Sequence, residues 1–342
     1  MLKVIIAEKP SVARAIAHVL GISGQQDGYI GGSTVDTVVT WAIGHLVTFA
    51  MPEDYGFSGF KRENLPILPE PFRLIPRQTK KGKETDADAG ALKQLNVIKK
   101  LFDQCNEIIV ATDAGREGEL IFRLIYKYLN CQKPFKRLWI SSLTDKAIKN
   151  GFENLKNGSE FDYLYQAARS RSQADWLVGI NASQALSITA GNGVYSLGRV
   201  QTPTLAMICK RYSEHKNFQT QTYFQIQVEA EVERKTLKML SDDKFEEKAS
   251  GQETVEIVRR NKLEITEVDT RTVREEPPLL YDLTGLQKDA NKRLNLSADE
   301  TLAIAQSLYE KKFISYPRTG SRYISEDIWE EIPALVETLL VY

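Results

Sequence analysis

The chain's 342 residues leave room for two or three domains. With 42% hydrophobic and 26% charged residues it has the composition of a folded protein with a proper core, which excludes disorder throughout. Its 45 Lys and Arg balance 45 Asp and Glu, so no whole-molecule field draws it to nucleic acid or an acidic membrane, and any polyanion must be held by a local patch.

The first segment alternates strands and helices. Leu2–Ala7 is an apolar, β-branched run that meets the turn Glu8-Lys9-Pro10-Ser11, and VARAIAHVLG follows with helical spacing closed by Gly21. The pattern returns at IIVAT, followed by the turn Asp113-Ala114-Gly115-Arg116 and a helix over Glu117–Leu129. Strands that each feed a helix predict a parallel sheet covered on both faces. Between them, Pro52–Pro76 carries five prolines and reads as a wandering surface connection, and Lys80–Asp88 as a mobile polar loop.

From about 145 to 217 the pattern is helical, most regularly in DYLYQAARSRSQADWLVGINASQAL. Residues 222–273 change to period-2 alternation in YFQIQVEAEV, TVEIV and ITEVDTRTV, which predicts antiparallel strands with a charged loop, SDDKFEEKASGQ, after the first. After Pro277-Pro278 two helical patterns, LYDLTGLQKDANKRL and ADETLAIAQSLYEKKF, lead to ISYPRT. No apolar run approaches the ~20 residues that span a bilayer, and MLKVIIAEKP is not a signal peptide. Cys105, Cys131 and Cys209 form no CxxC pair and read as reduced thiols of a cytosolic protein. The three histidines are too scattered to suggest a His-based metal site.

Ligands of parallel sheets sit at the carboxyl ends of the strands. Glu8 and Asp113 each follow a strand, and Glu117 lies four residues past Asp113. Three carboxylates gathered there repel one another without a cation, and hard oxygen ligands suit Mg²⁺. Taken singly, Glu8 and Glu117 are also the residues that complement helix N-termini. Lys9 is either a proton donor to a departing oxygen or the partner of a carboxylate, and Arg116 either a phosphate clamp or a surface charge. Residues 166–218 hold six basic residues against Asp175 and Glu214, whereas 225–275 hold thirteen acidic against ten basic, so a phosphate backbone would lie along the helical segment. There, Arg199 and Gln201 sit between Gly198 and Pro203; Trp176 and Tyr195 are candidates for base stacking, although Trp176 in ADWLVG reads first as a core residue. Pro317 holds Tyr316 extended, and Arg318 two residues on would favour a phenolate, although a Tyr-Pro pair is also a common packed turn.

In their order and spacing, EKPSVARAIA, TWAIGHL, ATDAGREGELI, ADWLVGINAS, SLGRVQTPTL and YEKKFISYPRT resemble the type IA DNA topoisomerases, in particular the bacterial topoisomerase III branch, from residue 1 to about residue 330. The resemblance implies a mixed fold, α/β plus α and β. Its parts would be a Rossmann-like Toprim domain over 1–150, a helical single-strand DNA-binding domain over 151–218, a partial antiparallel β arch over 219–275 and the start of a helical tyrosine domain over 276–342. It implies Mg²⁺ on Glu8, Asp113 and Glu117, and Tyr316 as the nucleophile that attacks a phosphodiester of single-stranded DNA, leaving a 5′-phosphotyrosyl bond and a 3′-hydroxyl. Lys9 would protonate that hydroxyl, Arg318 hold the scissile phosphate, Gln306 and Glu310 line the site, and Arg171, Asp175, Arg199 and Gln201 grip the strand. The resemblance further implies single-stranded or negatively supercoiled DNA as substrate, a bacterial, cytoplasmic and nucleoid-associated monomer, no membrane and no ATP, since transesterification conserves the phosphodiester energy.

Three features depart from the family pattern. Gly115 replaces the second Asp of the usual Asp-x-Asp-x-Glu, Gly320 stands where many members have Asp, and the sequence stops 26 residues after Tyr316. The last predicts a truncated chain with an unfinished DNA gate, whose alternative reading is a catalytically incomplete single-strand-binding fragment. A Toprim nuclease or primase would use the same acidic residues but leaves SLGRVQTPTL and the Tyr316 motif unexplained.

Overall fold

The computed structural model describes residues 2–32, 36–81, 84–311, 313–324, 329–330 and 332–340, and for Lys80, Lys81, Glu84 and Glu310 the backbone alone. The chain forms two compact units: residues 1–199 with 278–342, and residues 200–277.

The first unit is built on a seven-stranded sheet. In chain order its strands are β1 (Lys3–Ala7), β2 (Gln25–Gln26), β3 (Tyr29–Ile30), β4 (Thr37–Trp41), β9 (Glu107–Ala111), β10 (Phe135–Arg137) and β11 (Lys156–Asn157). The spatial order is β11-β10-β9-β1-β4-β3-β2. The central four strands are parallel, as the strand–helix alternation predicts, while β11 and the β2–β3 hairpin add antiparallel edges. Successive side chains of β1 enter opposite cores. Val4 and Ile6 pack with α2 (Ala89–Gln104) and α3 (Arg116–Tyr128). Ile5 and Ala7 pack with α1 (Pro10–Val19) and Ile148 of α4 (Asp145–Glu153). That two-sided burial explains why LKVIIA is apolar without alternation.

Two short antiparallel pairs fill the connection between β4 and β9: β5 (Val47–Phe49) with β6 (Leu74–Pro76), and β7 (Gln78–Lys81) with β8 (Glu84–Ala87). The predicted mobile loop Lys80–Asp88 is therefore largely a hairpin, and Gly82 and Lys83 lie outside the described residues. Threonines on both strands suit a pleated ladder, and polarity had hidden the period-2 pattern. Asp88 caps α2 by accepting from the Ala91 N–H at 3.0 Å.

The 29-residue helix α5 (Asp162–Ala190) carries Arg169 and Arg171 of the basic segment and ends at Gly191, whose φ of +70° forms a left-handed cap. The proline-rich connection is strapped to it. Asn181 accepts from the Ile67 N–H at 2.6 Å and donates to the Ile67 carbonyl at 3.0 Å. Trp176 donates to the Ala50 carbonyl at 3.1 Å and packs edge-on against Tyr55 and Phe72. The ADWLVGINAS motif thus spends Trp176 and Asn181 on anchoring a helix, which leaves Trp176 a packing residue and not a base-stacking platform. The remaining helices of the unit are α8 (Leu283–Leu294), α9 (Ala298–Glu310), started by a Ser297–Glu300 capping box, and a terminal helix over Ile332–Leu339.

The second unit contains α6 (Gln201–Lys216), the hairpin β12 (Gln227–Val232) and β13 (Lys235–Leu240), and α7 (Lys248–Arg260). Two predicted strands are corrected here. TVEIV lies inside α7, where Val255 and Val258 recur at helical spacing once the flanking residues are included. ITEVDTRTV forms no ladder, because β12 and β13 pair with each other and the described residues supply no strand beside it. An alternating pattern marks a segment able to pair, and a strand still needs a partner for its backbone hydrogen bonds.

Candidate active site at the strand ends

Parallel β1 and β9 are in register, with Ala7 opposite Ala111, so the residues that follow them emerge side by side. The Asp113 N–H points to Glu8 Oε2 at 3.4 Å. Thr112 Oγ1 donates to the Gly118 carbonyl at 2.8 Å, folding the first turn of α3 back onto the strand end. At Gly118 the approach is so close that a Cβ would lie 2.2 Å from the Asp113 carbonyl oxygen, so the glycine of DAGREG is required by space. Gly115 differs. Its φ of −172° is ordinary extended backbone, and a Cβ there would meet nothing within 4 Å.

Burial and, after it, the charge of Asp113 push the Glu8 carboxyl up to about 7. Asp113 Oδ2 is buried with no hydrogen-bond partner. The other end of the chain reaches this pair. The Tyr316 ring packs edge-on against buried Tyr309 of α9 with centroids 5.4 Å apart, and its hydroxyl faces the Asp113 side chain. Burial and, after it, the Asp113 carboxylate raise the Tyr316 pKa. Arg318 pulls the other way and is outweighed, so in this arrangement it does not produce the phenolate expected of it. Lys9 stands beside Glu8 at the N-cap of α1.

Glu117 turns elsewhere. From the first turn of α3 its Oε1 accepts from His45 Nε2 at 2.6 Å. Among the described residues no group of three or more His, Cys, Asp and Glu side chains is arranged to hold a metal ion. The expected gathering of three carboxylates is therefore a close pair, Glu8 and Asp113, with the third on an exposed helix start where a histidine engages it. His45 is the residue that sequence reasoning missed; its place in TWAIGHL, inside a motif singled out for its resemblance, was the available signal. It is aimed by a left-handed turn, with φ of +54° at Ile43 and +67° at Gly44. Arg77 donates to the carbonyls of Ile43 and His45 at 3.4 and 3.3 Å while pairing with Asp88 at 2.9 Å. A β-branched residue at positive φ is strained, and such strain concentrates at functional sites.

The residues expected to grip a strand are distributed over both units. Arg199 holds Asp175 through Nε at 2.6 Å and Nη2 at 3.1 Å on the exposed face of α5, which lowers the Asp175 pKa. Ser183 and Ser187 of α5 hydrogen-bond the backbone of Leu197 and Tyr195, fixing the loop that carries Arg199. Arg171 is exposed on the same helix, Gln201 opens α6 in the second unit, and Gln306 lies on α9. The Glu310 side chain lies outside the described residues.

A family model described as DNA topoisomerase matches residues 159–341, and a Toprim domain model matches residues 3–143. The chain belongs to the DNA topoisomerase family. Within it, DNA topoisomerase 3 of Bacillus cereus is 48% identical over 338 residues, which are 96% of this chain and 44% of that protein. DNA topoisomerase 3 of Bacillus subtilis is 44% identical over 343 residues, 98% of this chain and 45% of its own length. The fold of full-length topoisomerase I from Thermotoga maritima superposes with a TM-score of 0.66 at 24% identity, covering 97% of this chain and 52% of that one. This family member thus spans less than half the length of its topoisomerase 3 relatives. The mixed fold and the topoisomerase III-like resemblance expected from the motifs are borne out.

Proposed function

We propose that this chain carries the strand-cleaving part of a type IA, topoisomerase III-like enzyme acting on single-stranded or negatively supercoiled DNA in the bacterial cytoplasm. The observation that carries the reading is the meeting of Tyr316 with Asp113 and Glu8, from chain segments about 200 residues apart, at the carboxyl ends of parallel strands. Tyr316 Oη attacks a backbone phosphorus, forming the O–P bond of a 5′-phosphotyrosyl link as the bond to the 3′-oxygen breaks. Asp113, whose side chain the hydroxyl faces, accepts its proton. Lys9 returns one to the leaving 3′-oxygen, and Arg318 neutralises the phosphate charge. Rejoining reverses these steps, so no ATP is consumed.

A divalent cation fits the residues present. An orphaned buried carboxylate oxygen on Asp113, beside a Glu8 that burial and like charge have driven towards the neutral form, is a pair in want of positive charge. Glu8 and Asp113 would hold Mg²⁺, while Glu117 would join them only by giving up His45. The ion would supply charge neutralisation at the phosphate.

The test uses a single-stranded oligonucleotide labelled at its 3′ end. Incubation with the chain and Mg²⁺, followed by a denaturing quench, is expected to leave label on the protein, and Tyr316→Phe is expected to abolish it. Intact binding with no Tyr316-dependent adduct would leave the chain a strand-binding fragment.

A further inference from the structure

Burying a guanidinium is expensive, yet Arg137 at the end of β10 is completely buried. Its Nε donates to Glu119 Oε2 at 3.2 Å, its Nη1 to the carbonyls of Val110 and Leu138 at 2.9 Å each, and its Nη2 to the carbonyl of Asp113 at 2.7 Å. One cation thereby ties the end of β9, the residue after β10, the acidic turn and the first turns of α3. Glu119, itself buried, also accepts from Arg123 Nε at 2.8 Å, and Arg123 Nη2 donates to Asp162 at the foot of α5 at 2.7 Å.

Closing the turn does not require this cation, because the Gly115 N–H already donates to the same Asp113 carbonyl at 2.8 Å. Nor is a buried ion pair a cheap filler: apolar residues of similar volume are often as stable or more so. What the guanidinium adds is direction. With its carbonyl held from below, the Asp113 peptide plane is fixed, and with it the line along which the carboxylate leaves the backbone. That carboxylate meets Tyr316 on one side and carries an unpartnered buried oxygen.

We propose that Arg137 is a positioning residue of the cleavage site: through the Asp113 carbonyl it sets the Asp113 carboxylate against the Tyr316 hydroxyl, and through Glu119, Arg123 and Asp162 it ties that placement to the foot of α5. The role of Tyr316 as nucleophile is the reading on which this inference rests. Removing residues that orient a metal or catalytic group commonly reduces affinity or activity by about 10- to 100-fold.

Two variants of the 342-residue chain separate positioning from mere stability. Arg137→Met with Glu119→Leu removes both charges at similar volume. Arg137→Lys keeps the charge but gives up the planar fork that spans the Asp113 carbonyl and Glu119. Four quantities are read: the adduct-forming rate at saturating 3′-labelled oligonucleotide, the half-saturating oligonucleotide concentration, the affinity for Mn²⁺ by electron paramagnetic resonance, and the urea midpoint. In both variants the adduct rate and the Mn²⁺ affinity are expected to fall about tenfold or more, while the half-saturating concentration stays within about twofold. The double variant is expected to keep its urea midpoint. Unchanged adduct rate and Mn²⁺ affinity in a folded variant, or full restoration of both by lysine, would overturn the proposal. If the double variant does not fold, Arg137→Lys decides alone. If the unsubstituted chain forms no Tyr316-dependent adduct, the nucleophile reading fails, and the Mn²⁺ affinities decide whether Arg137 sets Asp113.

Discussion

Glu8 shows how a single side chain reports the character of the strand-end site. Its folded pKa of about 7 lies above the 4.5 of an exposed glutamate, so folding favours its neutral form. The sign follows: in metal-free buffer the contribution of Glu8 is fully present below about pH 4.5 and is lost as the pH rises to about 7. At ~1.4 kcal/mol per unit this amounts to about 3 kcal/mol. Urea unfolding in a chelator should show that decline, Glu8→Gln should flatten it, and a divalent cation should reverse it. Gly115 offers a second prediction. Neither φ nor space requires glycine there, so Gly115→Asp should fold normally and bind Mn²⁺ several-fold more tightly, as a titration of the two proteins would reveal. Equal affinities would mean that the added carboxylate does not face the ion. At this scale Glu8 and Asp113 could be placed side by side from the sequence because strand ends leave local marks, whereas Tyr316 was singled out by the resemblance of its motif and not by its X-Pro turn. The His45–Glu117 contact was not legible, because a single histidine has no periodicity and its partner is 72 residues away.

At the scale of elements, the long helix α5 is held by a loop that reads as idle connection. Asn181 satisfies both backbone groups of Ile67, whose side chain is wholly buried. Asn181→Ala strands those groups and should cost about 1–3 kcal/mol. It should also speed amide exchange at Ile67 ahead of the β1 core; unchanged exchange there would show that the strap is held by its aromatic contacts alone. The β strands of the central sheet were legible because both faces are buried and the runs are apolar. The errors fell where pattern is weakest. TVEIV is five residues long, too short to separate a period of 2 from one of 3.6, and the β7–β8 hairpin is polar throughout. ITEVDTRTV carries a sound alternation, but pairing is a property of two segments and only one was on view.

Over the whole molecule, the chain passes from the first compact unit to the second after Arg199 and returns after Pro277, beyond the stretch that follows α7. Leu263, Ile265, Val268 and Val273 are all more than half exposed, and residues 263–282 carry no helix or strand. Backbone without a ladder yields first to proteases. Limited trypsin treatment should therefore cut after Arg271 or Arg274 before any site in the sheet of the first unit, as mass spectrometry of the early fragments would establish. First cuts within α1 or α2 would contradict the division.

The same division has a consequence in time. The first unit is finished only by residues 278–342, after the whole of the second has been made. Asp113 leaves the ribosome about 200 residues before Tyr316, roughly ten to forty seconds at the usual speed of bacterial translation. Throughout that interval a nascent chain owns its acidic pair and has no nucleophile to use with it. If Tyr316 is the cutting residue, a polypeptide that has not yet passed through the second unit cannot break a DNA strand, and the interruption of one unit by the other acts as a safety catch released only once that second unit has been made.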